Sequence, residues 1–547
     1  MNQKATGQAF RFRKGASIGE PDAESDDHFL ANCFVDTGDY GILANCASPQ
    51  RIVVGRTGAG KSALLRQLKS CEEHVIEINP EHLSLNYISN SDILQTLSKS
   101  GVKLDLFYSL LWKHVFTVEL LKYKFNLENE EKTKSWLLNF ISPLRRKNQS
   151  KERALSYLKD WGDKFWEETE YRIKEVTNKI ENEIKSKIGG DFQILKSEIS
   201  ATDKGAQEIK TEVIHRAQRV INNIQIKELS EVIQLLADDI FDDPQEKYFI
   251  VIDKLDENWV EDELRYRLIR SLVETIKNFR AISNVKIVIA LRVDLLQSVF
   301  EKTRDSGFQE EKYHSLLLKI TWNRNSLGKL LDNRVAKLCQ EQYTSRAIKL
   351  NEIFPKEIST IPIIDHILQR TLYRPRDAIA FVNECLKRSE GKGAVSVQTI
   401  RDAEREYSAQ RIESLCHEWF THYPRLKNSL DILERMNSKF KLSMINKEKV
   451  DDFALAFCVE GDDRTDPVIN AGRIYLNGNS SSHHAFVIVL VKVLFTVGAI
   501  GIKPDGFTSE LWNFNSERPP TDGQIKPSST AYVHPMLWGS LGTVIDK

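Results

Sequence analysis

The stretch Arg51-Ile52-Val53-Val54-Gly55-Arg56-Thr57-Gly58-Ala59-Gly60-Lys61-Ser62 constrains the rest of the chain more than any other. A short apolar run, which reads as a buried strand, leads into G-x-x-x-x-G-K-S. Residues Ser62 to Leu68 then continue as a helix. Strand, glycine-rich loop and helix in that order are the context that a phosphate-binding loop requires. Glycines let successive backbone N–H groups turn inward, and the helix N-terminus adds positive potential. Gly55, Arg56, Thr57, Gly58, Ala59, Gly60, Lys61 and Ser62 therefore predict a nucleotide-binding site. Lys61 would reach the β- and γ-phosphates, and Ser62 would ligate Mg2+.

A sheet built on that strand does not account for the whole chain. With 547 residues it is too long for one compact core, so several domains are expected. A hydrophobic content of 41% and a charged content of 28% are ordinary for a globular protein. The formal net charge is zero, so nothing draws the whole molecule to nucleic acid or membrane, and any such contact must be a local patch. The seven cysteines are scattered without a C-x-x-C pair, which indicates neither a zinc ribbon nor a disulfide framework. Met1 to Lys14 is polar and basic, with no apolar centre for a secretory signal. The longest apolar run, Ala485 to Ile502, carries Lys492 and two glycines and falls short of a membrane span. A cytoplasmic protein with no membrane partner is expected. His483 and His484 are adjacent, which does not suit two metal ligands on one helical face.

Along the chain, residues 1–20 read as a loose arm. An acidic opening at Asp22–Asp27 precedes an amphipathic helix with Phe29, Leu30 and Phe34. Tyr40 is expected in the core rather than against a nucleobase. His74 to Asn79 alternates as a second strand. From about 91 to 243 no strand-like run occurs. Leu104 to Phe116 and Tyr157 to Trp166 are apolar at helical spacing. Ile173, Val176, Ile180, Ile184 and Ile188 then repeat at coiled-coil steps before Gly189-Gly190. A second long helix over about 204–240 would complete an antiparallel hairpin, its charges reading as a solvated face.

The sheet pattern resumes at Tyr248-Phe249-Ile250-Val251-Ile252-Asp253, a buried strand ending in an acid. Ligands lie at the carboxyl ends of parallel strands, and an aspartate there can hold Mg2+. Asp256 and Glu257 follow closely enough for one of them to orient or deprotonate an attacking water. The next strand, Val285 to Leu291, ends in Arg292. Positive charge at that place stabilises charge spreading over a transferring phosphoryl group; a plain strand-capping arginine is the alternative. Arg304 is a further basic candidate, for a finger reaching a neighbouring subunit. Ser315 to Trp322 reads as a fifth strand.

Together, Gly55–Ser62, Asp253-Lys254-Leu255-Asp256-Glu257 and the strand ending at Arg292 resemble the additional-strand division of P-loop ATPases, and within it the STAND, KAP and AAA+ branches. D-x-L-D-E is similar to the Walker B segment of NACHT-type STAND proteins; Lys254 stands where KAP-type ATPases carry a second acid. The resemblance implies ATP and Mg2+ as ligands, a sheet of order 5-1-4-3-2 and a helical lid after the fifth strand. Ser326–Ile348, Ile361–Leu372 and a helix from Tyr373-Arg374-Pro375-Arg376-Asp377 to Cys385 would supply the lid. R-P-R-D resembles the sensor-2 element of initiator-like and STAND ATPases, though Tyr373 and Arg374 stand where those carry small residues. By that likeness Arg376 approaches the γ-phosphate; otherwise it pairs with Asp377 or a lid acid. Bacterial ATPases that combine an acidic N-terminal helix, D-x-L-D-E-x-W and Y-R-P-R-D are the nearest in pattern, and such proteins are often associated with mobile elements and anti-phage defence.

The expected architecture is α/β: a P-loop NTPase sheet with a large helical insertion, a helical lid and a C-terminal winged-helix-like domain. The boundaries are 1–50 for the arm and first helix, 51–325 for the ATPase core with its insertion at about 91–243, 326–410 for the lid, and 411–547 for the last domain. In that domain, helices near 426–433, 450–459 and 483–497 precede strands at Glu510–Phe514 and Ala531–Val533. The third helix is apolar, with Lys492 its lone base, which favours docking on protein over reading a DNA groove. The expected function is an ATP-hydrolysing switch or motor that controls a protein partner or effector through the insertion, and homo-oligomerisation is compatible with it. A DNA-binding loader or initiator would need basic patches on the lid and winged helix. A non-hydrolysing scaffold would not need Asp253, Asp256 and Glu257.

Overall fold

The computed structural model describes residues 11–81, 104–127, 146–162, 171, 215, 226–304 and 311–545, apart from 258, 344–345, 460–465, 479–481, 515 and 517–518. The chain forms two compact units. One comprises Gly38–Arg56 and Lys61–Ile320; the other comprises Met1–Thr37, Thr57–Gly60 and Thr321–Lys547.

The first of these is built on five strands: β1 (Ile52–Gly55), β2 (His74–Ile78), β3 (Tyr248–Ile252), β4 (Val285–Arg292) and β5 (Leu317–Lys319). All pair in parallel, in the order β2-β3-β4-β1-β5. From the opposite edge this is 5-1-4-3-2, the order expected. β1 and β3 are buried at every position, as continuous Val/Ile runs are when both faces of a parallel sheet are covered. Residues Ser315, Leu316 and Ile320–Trp322, expected in the fifth strand, lie outside its three paired positions.

Part of the expected insertion is core. Helix Asp105–Lys124 buries twelve of its twenty residues, too many for an appended partner surface. Its Trp112 indole donates to the Leu268 carbonyl (3.0 Å) on helix Asp262–Asn278. Helices Arg146–Trp161 and Ile226–Leu235 are also present. Phe165, Trp166, the coiled-coil positions Ile173 to Ile188, the Gly189-Gly190 break and most of the second long helix lie outside the described residues.

In the other unit, helix Arg324–Gln342 opens with a capping box between Asn323 and Ser326. A short hairpin, β6 (Glu357–Ile358) and β7 (Ile361–Pro362), precedes helices Ile363–Leu368, Pro375–Lys387 and Val397–Glu418. The hairpin occupies part of the stretch expected as one helix over 361–372, because Ser359 and Thr360 turn the chain at positive φ (49° and 69°). The boundary expected after residue 410 falls inside helix Val397–Glu418, which starts at a Ser396 cap and runs 22 residues.

Residues 11–20 are not a loose arm. Phe12 and Ile18 are fully buried, Phe12 N–H donates to Lys392 O (2.9 Å), and Ile18 N–H to Asn383 Oδ1 (2.9 Å). Asp26 and Arg334, both buried, form an ion pair behind them. Two apolar side chains and one distant cation do this work, and local composition hides them.

The C-terminal part holds helices Leu426–Asp431, Lys447–Val459, Pro467–Leu476 and His483–Val497. It also holds strands β8 (Lys439–Lys441), β9 (Ile500–Lys503) and β10 (Thr530–Val533), antiparallel in the order β8-β10-β9. The expected strand Glu510–Phe514 is reduced to a single bridge from Leu511 to Ile502. Helix Pro467–Leu476, unforeseen, begins where Asp466 accepts from Val468 and Ile469 N–H and proline takes the first turn. Among the described residues no helix is long and apolar enough to cross a membrane.

Candidate functional site

The loop after β1 needs its glycines. Gly58 and Gly60 have φ of +76° and +96°, in the left-handed region. A β-carbon on Gly58 would also lie 2.7 Å from Arg376 Cβ. Helix Lys61–Cys71 starts directly after. Lys61 Nζ folds back to donate to Gly55 O (3.1 Å) and Arg56 O (3.2 Å). Burial pushes its pKa down, against the pull of Asp256 and Asp253 and with the help of Arg292. The Ser62 side chain meets the Asp253 carboxylate and favours its charged form. Burial raises the Asp253 pKa, opposed by Ser62, by the Lys254 N–H (2.9 Å) and by Lys61.

The turn after β3 is built to present acids. Lys254 sits at φ +61°, unusual for a residue with a side chain. The Glu257 N–H returns to Lys254 O (3.1 Å). The Arg265 guanidinium, nearly buried, donates to Glu257 O (3.0 Å) and Asp256 O (3.4 Å) and pairs with Asp262 (2.6 Å). Trp259 Nε1 donates to Leu255 O (3.1 Å). With the backbone so held, the carboxylates of Asp256 and Glu257 stay exposed. Arg292, at the end of β4, grips Asp294 with two hydrogen bonds (3.1 and 2.7 Å) and lies 3.7 Å from Asp256. It caps its strand through Asp294, as the alternative reading expected, and also faces the acidic turn. Lys61, Ser62, Asp253, Asp256 and Arg292 are gathered here; Arg304 is not in that group among the described residues.

In the unit that holds Thr57–Gly60, helix Pro375–Lys387 begins beside the loop residues. Proline at the first helical position fixes its start, and Tyr373 turns the chain at φ +52°. The Arg376 N–H donates to Gly58 O (3.4 Å), and its guanidinium pairs with Asp22 (2.8 Å) rather than with Asp377. The buried residue is Arg374. It donates to Thr57 O (2.9 Å), Asp377 (2.8 Å) and Glu418 (2.9 Å). Asp377, fully buried, also accepts from Arg411 (2.8 Å) and from Leu372 N–H (3.3 Å). Burial alone would raise the Asp377 pKa, but Arg374 and Arg411 hold it down to about 2. Trp322 Nε1 donates to Ala59 O (2.8 Å). The Thr57 hydroxyl is buried and has no hydrogen-bond partner among the described residues.

Sequence reasoning singled out Arg376 and passed over Arg374, Trp322, Asp22 and Arg265. The i, i+3 spacing of Arg374 and Asp377 was an available signal for a pair on one turn. Nothing local marks Trp322 or Asp22.

Two comparisons bear on this arrangement. Residues 325–416 match the FunZ-associated C-terminal helical domain. The chain is also similar to the putative transposon gamma-delta 80.3 kDa protein of Escherichia coli (strain K12). The two are 22% identical over 541 residues, covering 96% of this chain and 67% of the other.

Proposed function

We propose that this chain is an ATP-binding and ATP-hydrolysing switch of the additional-strand P-loop type. The observation that carries the reading is that the side chain of Ser62, at the start of the helix after the glycine loop, meets the carboxylate of Asp253, which follows β3, and holds its pKa down against burial. These are the two residues expected to hold Mg2+, and a long stretch of sequence separates them. The site fits the ligand in three further respects. The loop has left-handed glycines at 58 and 60, a buried Thr57 hydroxyl lacks a partner among the described residues, and Lys61 already spans the loop carbonyls.

On this reading Gly55–Lys61 bind the triphosphate through backbone N–H groups and the lysine. Ser62 and Asp253 hold Mg2+, which, when bound, neutralises charge on the phosphate oxygens. Glu257 or Asp256 takes the proton of the attacking water. Arg292, already oriented by Asp294, lends positive charge as negative charge spreads. Arg374 reports the state of the loop. One guanidinium touches the Thr57 carbonyl and also Glu418, at the end of helix Val397–Glu418. A shift of that carbonyl is thereby felt at the C-terminal end of a 22-residue helix.

The output is control of a partner protein or effector by nucleotide state. The transposon-associated name of the relative supports a setting in mobile elements or in defence against them. Helices packed with the β8-β10-β9 sheet in the C-terminal part suit a winged-helix-like docking module, with helix Pro467–Leu476 added to the three expected. The deciding experiment measures ATP binding and hydrolysis by wild type and Lys61→Ala. Lys61→Ala is expected to weaken ATP binding at least about tenfold, the scale of a charge-assisted contact. Equal ATP binding by the two proteins, or no turnover in wild type, would sink the reading.

A further inference from the structure

Helix Arg324–Gln342 and the segment from Lys349 to Ile364 enclose an open groove of about 560 Å³. Its lining is basic: Arg324, Lys329, Lys349 and Lys356 face Asp332 as the single acid. Asn325, Asn333 and Asn351 add neutral polar groups. Two acids near the cations are already engaged. Asp332 accepts from Leu350 N–H (3.0 Å), and Asp365 is clamped by Arg324. Among the described residues no acid pairs with Lys329, Lys349 or Lys356, all three of which are exposed. The groove also lies at the N-terminal end of the 19-residue helix, where backbone dipoles add positive potential. A chain with formal net charge zero has concentrated three unpaired lysines in one concavity.

We propose that this groove binds the phosphate backbone of a nucleic acid. Lysine, arginine and asparagine side chains with a helix N-terminus are the groups that contact phosphate oxygens. The lining contains no aromatic side chain, so bases find no stacking platform. The contact is to the backbone and independent of sequence, and a duplex meets it at least as well as a single strand. An acidic protein segment would satisfy the charge, but the three asparagines suit the oxygen-rich sugar–phosphate edge better than isolated carboxylates. The inference does not rest on the nucleotide reading above, because none of these residues belongs to that site.

Duplex DNA of random sequence, single-stranded DNA and poly-glutamate serve as probes for the full-length chain, titrated across salt concentrations. The variant is Lys329→Ala with Lys356→Ala, two exposed positions where folding is undisturbed; unchanged thermal melting and ATP binding verify this. Wild type is expected to bind duplex DNA with an affinity that falls as salt rises. The double variant should bind more weakly on every sequence, its log–log salt slope shallower by about 2, since each lysine contributes about one released counterion. An unchanged slope in the variant would place DNA contacts elsewhere and overturn the proposal. So would absence of duplex binding at low salt, or variant-sensitive binding of poly-glutamate without binding of DNA.

Discussion

Two of the charge clusters among the described residues are built on opposite principles. At the carboxyl edge of the sheet, Lys61, Asp253, Asp256, Glu257 and Arg292 are partly exposed or loosely matched. Arg292 and Asp256 stand 3.7 Å apart, Lys254 and Glu257 3.6 Å, and burial pushes Lys61 and Asp253 toward their neutral forms. At the turn opening helix Pro375–Lys387, Arg374, Asp377, Arg411 and Glu418 form a buried set of two cations and two anions, with contacts of 2.8–2.9 Å. On the proposed function, the first cluster keeps interactions in reserve for a ligand. The second has little left to offer and holds its backbone in one place. A charged residue in a site must change partners during function, and one in a frame must not.

The largest effect that tests this contrast is chemical. Glu257→Gln is expected to lower ATP turnover by roughly 10²- to 10⁴-fold, the range for a general base, and to leave ATP affinity unchanged. Asp256, faced by Arg292 at 3.7 Å as Glu257 is by Lys254 at 3.6 Å, is the other candidate. Single-turnover hydrolysis of both variants decides the matter: a larger loss in Asp256→Asn would transfer the role to Asp256.

The frame should fail as a frame. Asp377→Asn leaves Arg374 and Arg411 buried without their shared carboxylate, at a cost of about 3–5 kcal/mol in unfolding free energy. The pH dependence has a definite sign. A carboxyl group held near 2 in the native protein and near 3.9 when unfolded contributes stability that is present above the unfolded value. That stability is lost as pH falls toward 2. Urea unfolding between pH 5 and 2.5 should therefore steepen in wild type relative to the variant. Parallel curves would show that the pairing does not stabilise the native state.

How much of this was legible beforehand follows the same division. The strand runs at 52–55, 248–252 and 285–292 announce themselves because a doubly covered parallel strand is apolar at nearly every position, and the run at 74–78 does so by alternation. The glycine loop and Asp253 carry fixed spacing. What sequence could not give was set by tertiary partners. Phe12 and Ile18 look like arm residues until Lys392 and Asn383 take their N–H groups. Leu104 to Phe116 looked like an insertion helix, and only its packing on helix Asp262–Asn278 makes it core. Arg374 looked like an interruption of a familiar motif, and is instead the residue bonded to the loop. Pairs such as Arg376–Asp22 join positions too far apart for any local pattern to record.

A third, intermediate case sharpens the comparison. Lys286, on β4 six residues before Arg292, is fully buried, and among the described residues no carboxylate pairs with it. Its Nζ donates to Ile42 O (2.9 Å) and Asn45 O (2.8 Å), and burial, with Arg51 adding, pushes its pKa down to about 7. The unfolded lysine titrates near 10.4, so between these values the unfolded chain binds the extra proton. Stability contributed by this site therefore rises with pH from 7 upward, by at most about 1.4 kcal/mol per pH unit, opposite in sense to a lysine stabilised by an ion pair. Lys286→Met should flatten that rise. Denaturant midpoints at pH 7, 8 and 9 that run parallel for the two proteins would show the lysine to be charged throughout.

The smallest effect falls on Arg376, two residues from Arg374 of the frame and beside Gly58 of the loop. Arg376 lies about one-third exposed against a half-exposed Asp22, so their pair is worth about 1 kcal/mol or less to stability. Its backbone nevertheless touches Gly58 O, and its side chain covers that glycine. If Arg376 belongs to the site, Asp22 is a competitor for the same guanidinium that a phosphate would engage. Asp22→Asn should then tighten ATP binding a few-fold, and Arg376→Ala should weaken it, both with melting temperatures close to wild type. If Arg376 belongs to the frame, both variants lose the same small stability and neither moves ATP affinity. Titration of ATP into the two variants separates these outcomes because the substitutions break one pair from opposite ends, and only a residue that exchanges partners gives opposite signs.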